Sequence, residues 1–286
     1  MGRIYEALQR SSAKREGPES MVAEFAPAPD TSERTGPEAI DLGTDIDLDR
    51  ARPLTVSATP ERRLVVLAGE RSLGAEKIRL LAARLRHLQG ERAIKKLLVT
   101  STVKDEGKTL LSTNVAMSLA KTGQRVLLID GDCHQANAGR LLGAKGSPGL
   151  TNWWRSAGAM QGFMLRINKL PLWFLPAGET VEQPLEILQS ARLADEINRM
   201  AGWFDWVIID SPPCAPLADA GVWSNLVDGI LLVAREGKTP KRLLRKVLGS
   251  LDNKKLLGIV LNDCTDPDQH YYTHYYNLHH AERHSQ

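Results

Sequence analysis

Lys108 and Thr109 close the segment Glu106-Gly107-Lys108-Thr109, which follows an apolar run at residues 97–100 and opens a stretch of helical periodicity. Two other apolar runs end in carboxylates. Residues 125–129 lead into Asp130, Gly131 and Asp132, and residues 206–209 lead into Asp210, after which Ser211, Pro212 and Pro213 stop the strand. This set has the chemistry of phosphoryl transfer. A helix start presents unpaired N–H groups and the positive end of its dipole, and both favour phosphate. Lys108 is spaced to reach β- and γ-phosphates and the Thr109 hydroxyl to hold Mg²⁺, so ATP and Mg²⁺ are the expected cofactors. Solvated strand-end carboxylates are the plainer alternative, but they give no reason for a Lys-Thr pair to open the intervening helix.

Such residues converge only if the strand ends lie side by side, and the pattern around them supplies that arrangement. Helices are expected at 75–89, 110–121, 150–157, 184–201 and 241–251, with Gly123 as the stop of the second. Strands are expected at 97–100, 125–129, 172–175, 206–209, 229–234 and 257–261, with an edge strand at 64–68. Strands that alternate with helices at this spacing imply an α/β fold, a doubly wound and mostly parallel sheet of the P-loop NTPase type. In such a sheet ligands bind at the carboxyl ends of the strands, where the three acidic or Lys-Thr segments fall.

The chain divides into three expected parts: residues 1–60, 61–262 and 263–286. The first begins with a short amphipathic helix at 3–15 and continues as an acidic, Pro-rich linker, expected to be disordered. The second is the ATP-binding domain. The third is a polar tail, also expected to lack fixed structure, that holds Tyr271, Tyr272, Tyr275 and Tyr276 together with His270, His274, His279, His280 and His284. Tyrosines clustered in a segment too polar to build a core either pack on a partner or serve as substrates. The histidines read as part of a solvated tail.

The 286 residues, 42% of them hydrophobic, suffice for one α/β domain with extensions, and the net charge of +3 is too small to argue for nucleic acid. No apolar run reaches the ~18 residues of a membrane span, since Asp228 interrupts the strongest one. The first residues lack a signal-peptide core, so a cytoplasmic location is expected without direct membrane insertion. Cys133, Cys214 and Cys264 fit reduced thiols.

Taken together, these residues resemble the bacterial tyrosine kinases of capsule and exopolysaccharide loci, over roughly residues 74–276. The resemblance rests on Glu106-Gly107-Lys108-Thr109, the second acidic strand ending Asp130-Gly131-Asp132, the third closing Asp210-Ser211-Pro212-Pro213, the stretch Leu175-Pro176-Ala177-Gly178, and the tyrosine-rich tail. It implies an ATP-dependent protein-tyrosine autokinase whose tail tyrosines enter the ATP site of a neighbour in a ring-shaped homo-oligomer. By position, Lys104, Asp105, Glu106, Gly107, Lys108, Thr109 and Leu110 contact ATP and Asn262 lies at the adenine. Lys108 stabilises the phosphates, Thr109, Asp130 and Asp210 hold the metal, and Asp132 takes the tyrosine proton. The resemblance also implies a membrane-bound partner, an activator of the polysaccharide co-polymerase type, through which the kinase associates with the membrane.

Three positions depart from the family pattern. Thr102 and Asp105 stand where small residues or glycine are usual, and the oligomerisation motif has Glu76 and Arg79 but Ala82 at its last place. Two other readings of the same residues are an ATPase switch of the MinD/ParA type, whose signature lysine is here Val103 with Lys104 one residue late, and a degenerate nucleotide-binding scaffold.

Overall fold

The computed structural model describes residues 48–68, 72–215 and 219–264, so the expected helix at 3–15 and the tail tyrosines lie outside the described residues. The chain enters through a short strand β1 (Arg52–Leu54) and a single helical turn α1 (Val65–Ala68), then the long helix α2 (Leu73–Glu91). β2 (Lys96–Ser101), α3 (Lys108–Lys121) and β3 (Val126–Asp130) follow, then α4 (Asn137–Leu142), α5 (Leu150–Arg155), β4 (Leu165–Ile167) and β5 (Leu172–Leu175). The remainder runs α6 (Pro184–Leu188), α7 (Ala191–Trp203), β6 (Trp206–Asp210), α8 (Asp219–Asn225), β7 (Gly229–Arg235), α9 (Lys241–Ser250) and β8 (Leu256–Asn262).

The strands form one sheet in the order β1-β4-β5-β3-β6-β2-β7-β8, parallel throughout except where β4 runs against β5. The central strands are apolar runs because both of their faces are covered. Leu97 and Val99, Val126 and Leu128, Trp206 and Ile208, and Leu231 and Val233 face the layer made by α1 to α4. Their alternates Leu98, Leu127, Ile129, Val207, Ile209, Ile230 and Leu232 face α5 to α9. Each fully buried side chain of this size contributes about 1.5–3 kcal/mol, so the two layers hold the strand ends in fixed register. That register sets Asp130 opposite Asp210.

Three local expectations change. Residues 64–68 form the turn α1, not an edge strand. Leu64 and Val66 are buried, and the backbone of Val66 is met by side chains of α3: Asn114 Oδ1 accepts its N–H at 3.2 Å and Lys121 Nζ donates to its carbonyl at 2.7 Å. With those groups satisfied by a helix, the segment has no need of a strand partner. The sheet edge is instead taken by β1, within the stretch expected to be linker, which pairs in parallel with β4. The helix expected across 184–201 is broken at Gln189 and Ser190, because the Ser190 hydroxyl accepts the Leu193 N–H and starts α7 anew. Among the described residues no helix is long and apolar enough to cross a membrane.

Candidate functional site

The loop between β2 and α3 ends at Gly107, whose φ of 94° is the left-handed conformation that glycine adopts without strain. A Cβ there would also collide with the amide of Asn262. Lys108 therefore becomes the first residue of α3, two residues before the start expected from periodicity, and its chain runs to the ends of β3 and β6. Its Nζ lies 3.4 Å from Asp132 Oδ2 and 3.4 Å from the Thr109 hydroxyl. Lys108 is 7% exposed, and burial alone would favour the neutral form of its amine. Asp210, Asp132 and Asp130 outweigh that burial and raise its pKa, so Lys108 stays charged.

The three carboxylates differ in what holds them. Asp130 is tied by two backbone N–H groups, from Gly139 at 3.0 Å and Asp132 at 3.3 Å. Burial, with the charge of Asp210 added, pushes its pKa up to about 7 against those bonds. Asp132 accepts the Gln135 N–H on Oδ1 at 3.2 Å and turns Oδ2 to Lys108. Asp210 is fully buried, and neither of its carboxylate oxygens has a hydrogen-bond partner among the described residues. Burial pushes it up to about 6, while Lys108 and the nearby hydroxyls of Thr109 and Ser112 work the other way without completing a bond. A buried carboxylate left without partners needs an explanation, and a cation held by it would supply one. The donor set of Thr109 Oγ1, Asp130 and Asp210 has the hard oxygen character that Mg²⁺ requires.

Three further contacts fix the acidic loop. Gly131 donates its N–H to the Asp210 carbonyl at 2.7 Å, an approach with ~3.0 Å clearance for a Cβ against Ile209 and Trp223. Trp223 Nε1 donates to the Gly131 carbonyl at 3.2 Å, and one helical turn earlier on α8 the buried Asp219 lies 2.8 Å from His134 Nε2. α8 thus grips both sides of Asp132.

The other expected site residues are placed as follows. Lys104 and Asp105 are exposed, and Leu110 is half-buried on α3. Glu106 is buried and turned away from the helix start: its Oε2 accepts the Val103 N–H at 2.9 Å and its Oε1 accepts the Thr239 hydroxyl. Asn262 Nδ2 donates to the Glu106 carbonyl at 2.9 Å, which seats it against the phosphate loop. Thr102 is buried, its hydroxyl unpartnered among the described residues, while its carbonyl accepts the Ala215 N–H at 3.2 Å. Asp105 takes the left-handed turn, φ 63°, a conformation that glycine adopts without strain. On α2, Arg79 pairs with Glu76 at 2.8 Å, and Ala82, at the last place of the oligomerisation motif, is buried in the core. Tyr271, Tyr272, Tyr275 and Tyr276 are outside the described residues. Cys133 is buried, Cys214 half-buried and Cys264 exposed, and none of the three forms a disulfide among the described residues.

Sequence reasoning missed Arg235, Thr239, Asp219, His134 and Trp223. Their only signal is the strand order, which carries them to the strand ends from distant parts of the chain.

Comparison with known proteins agrees with this geometry. The AAA domain family matches residues 105–221. The tyrosine-protein kinase YwqD of Bacillus subtilis (strain 168) is 29% identical over 204 residues, covering 71% of this chain and 86% of that protein. The tyrosine-protein kinase CpsD of Streptococcus agalactiae serotype Ia is 32% identical over 173 residues, covering 59% of this chain and 75% of that protein. Among solved structures, the kinase domain of the Escherichia coli tyrosine kinase ETK superposes with a TM-score of 0.68 at 22% identity, over 76% of this chain and 90% of that one, a likeness of fold.

Proposed function

This chain belongs to the bacterial tyrosine kinases, and from that premise we propose that it phosphorylates the tyrosines of its own tail, those of one subunit in the site of the next. The observation that carries the reading is the meeting of a charged, buried Lys108 with three carboxylates, one of them, Asp210, desolvated and unpartnered. A nucleotide-binding kinase of this family has a use for that cost: Thr109, Asp130 and Asp210 would hold Mg²⁺, and bound Mg-ATP supplies the γ-phosphoryl group. Lys108 neutralises charge that develops on the phosphoryl oxygens. Asp132 takes the phenolic proton on Oδ2 as the tyrosine oxygen bonds to phosphorus and the bond from phosphorus to the β,γ-bridging oxygen breaks. A phenol with pKa of about 10 needs such a base nearby. Gln135 and α8 hold Asp132 for that step.

The wider role proposed is control of capsule or exopolysaccharide synthesis or export, in line with the names of relatives such as the succinoglycan biosynthesis transport protein ExoP. The assembly proposed is a ring-like homo-oligomer, cytoplasmic and drawn to the membrane by a co-polymerase-type activator. Incubation with Mg-ATP, followed by intact-mass and peptide mapping, tests the core of this reading. Phosphate added to Tyr271, Tyr272, Tyr275 and Tyr276 is the expected result. ATP hydrolysis without labelling would make the chain an ATPase switch, and neither would make it a scaffold.

A further inference from the structure

The phosphate loop is held by the ends of the last two strands, β7 beside β2 and β8 beyond it. Arg235 closes β7 and Asn262 closes β8, opposite each other in register. From this pair, contacts reach the loop at three points. Arg235 Nη1 donates to the Asp105 carbonyl at 3.2 Å, Asn262 Nδ2 donates to the Glu106 carbonyl, and Thr239 donates to the Glu106 carboxylate. The Thr239 hydroxyl accepts the Arg235 N–H at 2.7 Å, so one residue is tied to the loop through its side chain and through its backbone.

The same guanidinium has a second partner. Its Nε donates to Asp263 Oδ2 at 2.8 Å and its Nη2 to the same oxygen, and this bond holds the Asp263 carboxyl below its usual range. Asp105 and Asp263 both sit in the left-handed region, at φ 63° and 55°. One arginine therefore joins two aspartates in a conformation that non-glycine residues take at a cost, one inside the phosphate loop and one at the exit of β8. A planar guanidinium with several fixed donors suits this bridging better than a lysine does.

We propose that Arg235 is a positioning residue of the phosphate loop: braced by Asp263, it holds Asp105 in a left-handed turn that glycine would make without strain, and so links nucleotide affinity to the path of the chain leaving β8. The proposal rests on the reading that this loop binds nucleotide. Linkage is reciprocal, so nucleotide in the loop also favours the Asp263 position seen here. Asp263 is the first residue of the tail, which places the tail's root under the same control.

The test uses the full chain, Mg²⁺ and a fluorescent ADP analogue, with ATP KM and kcat from tyrosine labelling as the second readout. Arg235→Gln should raise the nucleotide dissociation constant about tenfold, as for a lost charge-assisted hydrogen bond, mainly in KM and with little change in kcat. Asp263→Asn should raise it by a smaller factor, and the double variant should match Arg235→Gln alone, because Asp263 acts through the arginine. Arg235→Lys should not restore binding. In the Asp105→Gly background, where the turn is free of strain, Arg235→Gln should cost markedly less. Independent, multiplying effects of the two singles, or an equal penalty in both backgrounds, overturns the proposal. If Arg235→Gln does not fold, Arg235→Lys and Asp263→Asn decide it by the same comparisons. A wild-type chain that binds no nucleotide overturns the nucleotide reading along with it, whereas a binding wild type with independent effects overturns the proposal alone.

Discussion

Asp130 and Asp210 end adjacent parallel strands directly opposite each other, and burial lifts their pKa values to about 7 and about 6. The pair is neutral where ordinary carboxyl groups are half ionised and becomes a buried anionic pair near neutral pH. Its stabilising contribution is fully present below the unfolded pKa of about 4 and is lost as pH rises through 6 to 7. The melting temperature of the nucleotide-free chain should accordingly be lower at pH 8 than at pH 5 by several degrees from this pair. Asp210→Asn should flatten that difference and raise the melting temperature at pH 8 while abolishing the metal's effect on nucleotide binding. A wild-type and an Asp210→Asn profile that run parallel across pH 5–8 would count against the pair as the cause.

Lys108→Met should reduce tyrosine labelling by at least a hundredfold, the order of loss seen when one donor to transition-state charge is removed. The methionine fills the space of a side chain that lies among carboxylates and outside the apolar layers, so circular dichroism should be unchanged. Full labelling by a folded variant would remove Lys108 from the chemistry.

Asp132→Asn should lower kcat far more than it weakens nucleotide binding, since the amide keeps the Gln135 contact but cannot take a proton. Equal losses in both would make Asp132 a metal-site residue.

Asp105→Gly separates two effects of one side chain. Relief of the left-handed backbone should raise the melting temperature slightly and independently of salt. Removal of an exposed carboxylate near the phosphates should tighten ATP binding, and that gain should shrink at high salt. Weaker binding at all salt concentrations would show that the Asp105 carboxylate contributes to the site.

Changing Tyr271, Tyr272, Tyr275 and Tyr276 together to Phe should leave an assembled chain that takes up no tail phosphate, while the wild type should dissociate as labelling proceeds. Each phosphate adds about −1.5 to −2 charges, and a tail so charged is repelled by the aspartates of a neighbouring site. Light scattering after size exclusion distinguishes these outcomes, and a monomer at every level of labelling would rule out the assembly.

How much of this was visible in the chain depends on how local the cause was. Residues 97–100, 125–129 and 206–209 announce buried strands because a strand covered on both faces leaves no polar alternation, and the site falls at their ends. Residues 64–68 misled because the groups that satisfy Val66, Asn114 and Lys121, come from a helix some fifty residues away. β1 is three residues long and contains Pro53, which only a sheet edge tolerates, so its composition resembles the linker around it. Asn262 is expected at the adenine by its position at the strand end, and its contact with the Glu106 carbonyl could not be read from that position. Arg235 and Thr239 were invisible because only the pairing of β7 with β2 and β8 carries them to the loop.

The hydrogen bond from Trp223 to the Gly131 carbonyl has an optical consequence. An indole with no solvent contact is fastened to the carbonyl of Gly131, the one residue that separates Asp130 from Asp132. Any charge that settles on those aspartates changes the electric field along that bond, and indole emission shifts with such a field. The kinase therefore carries, behind its acidic loop, a built-in chromophore whose colour follows the state of the loop.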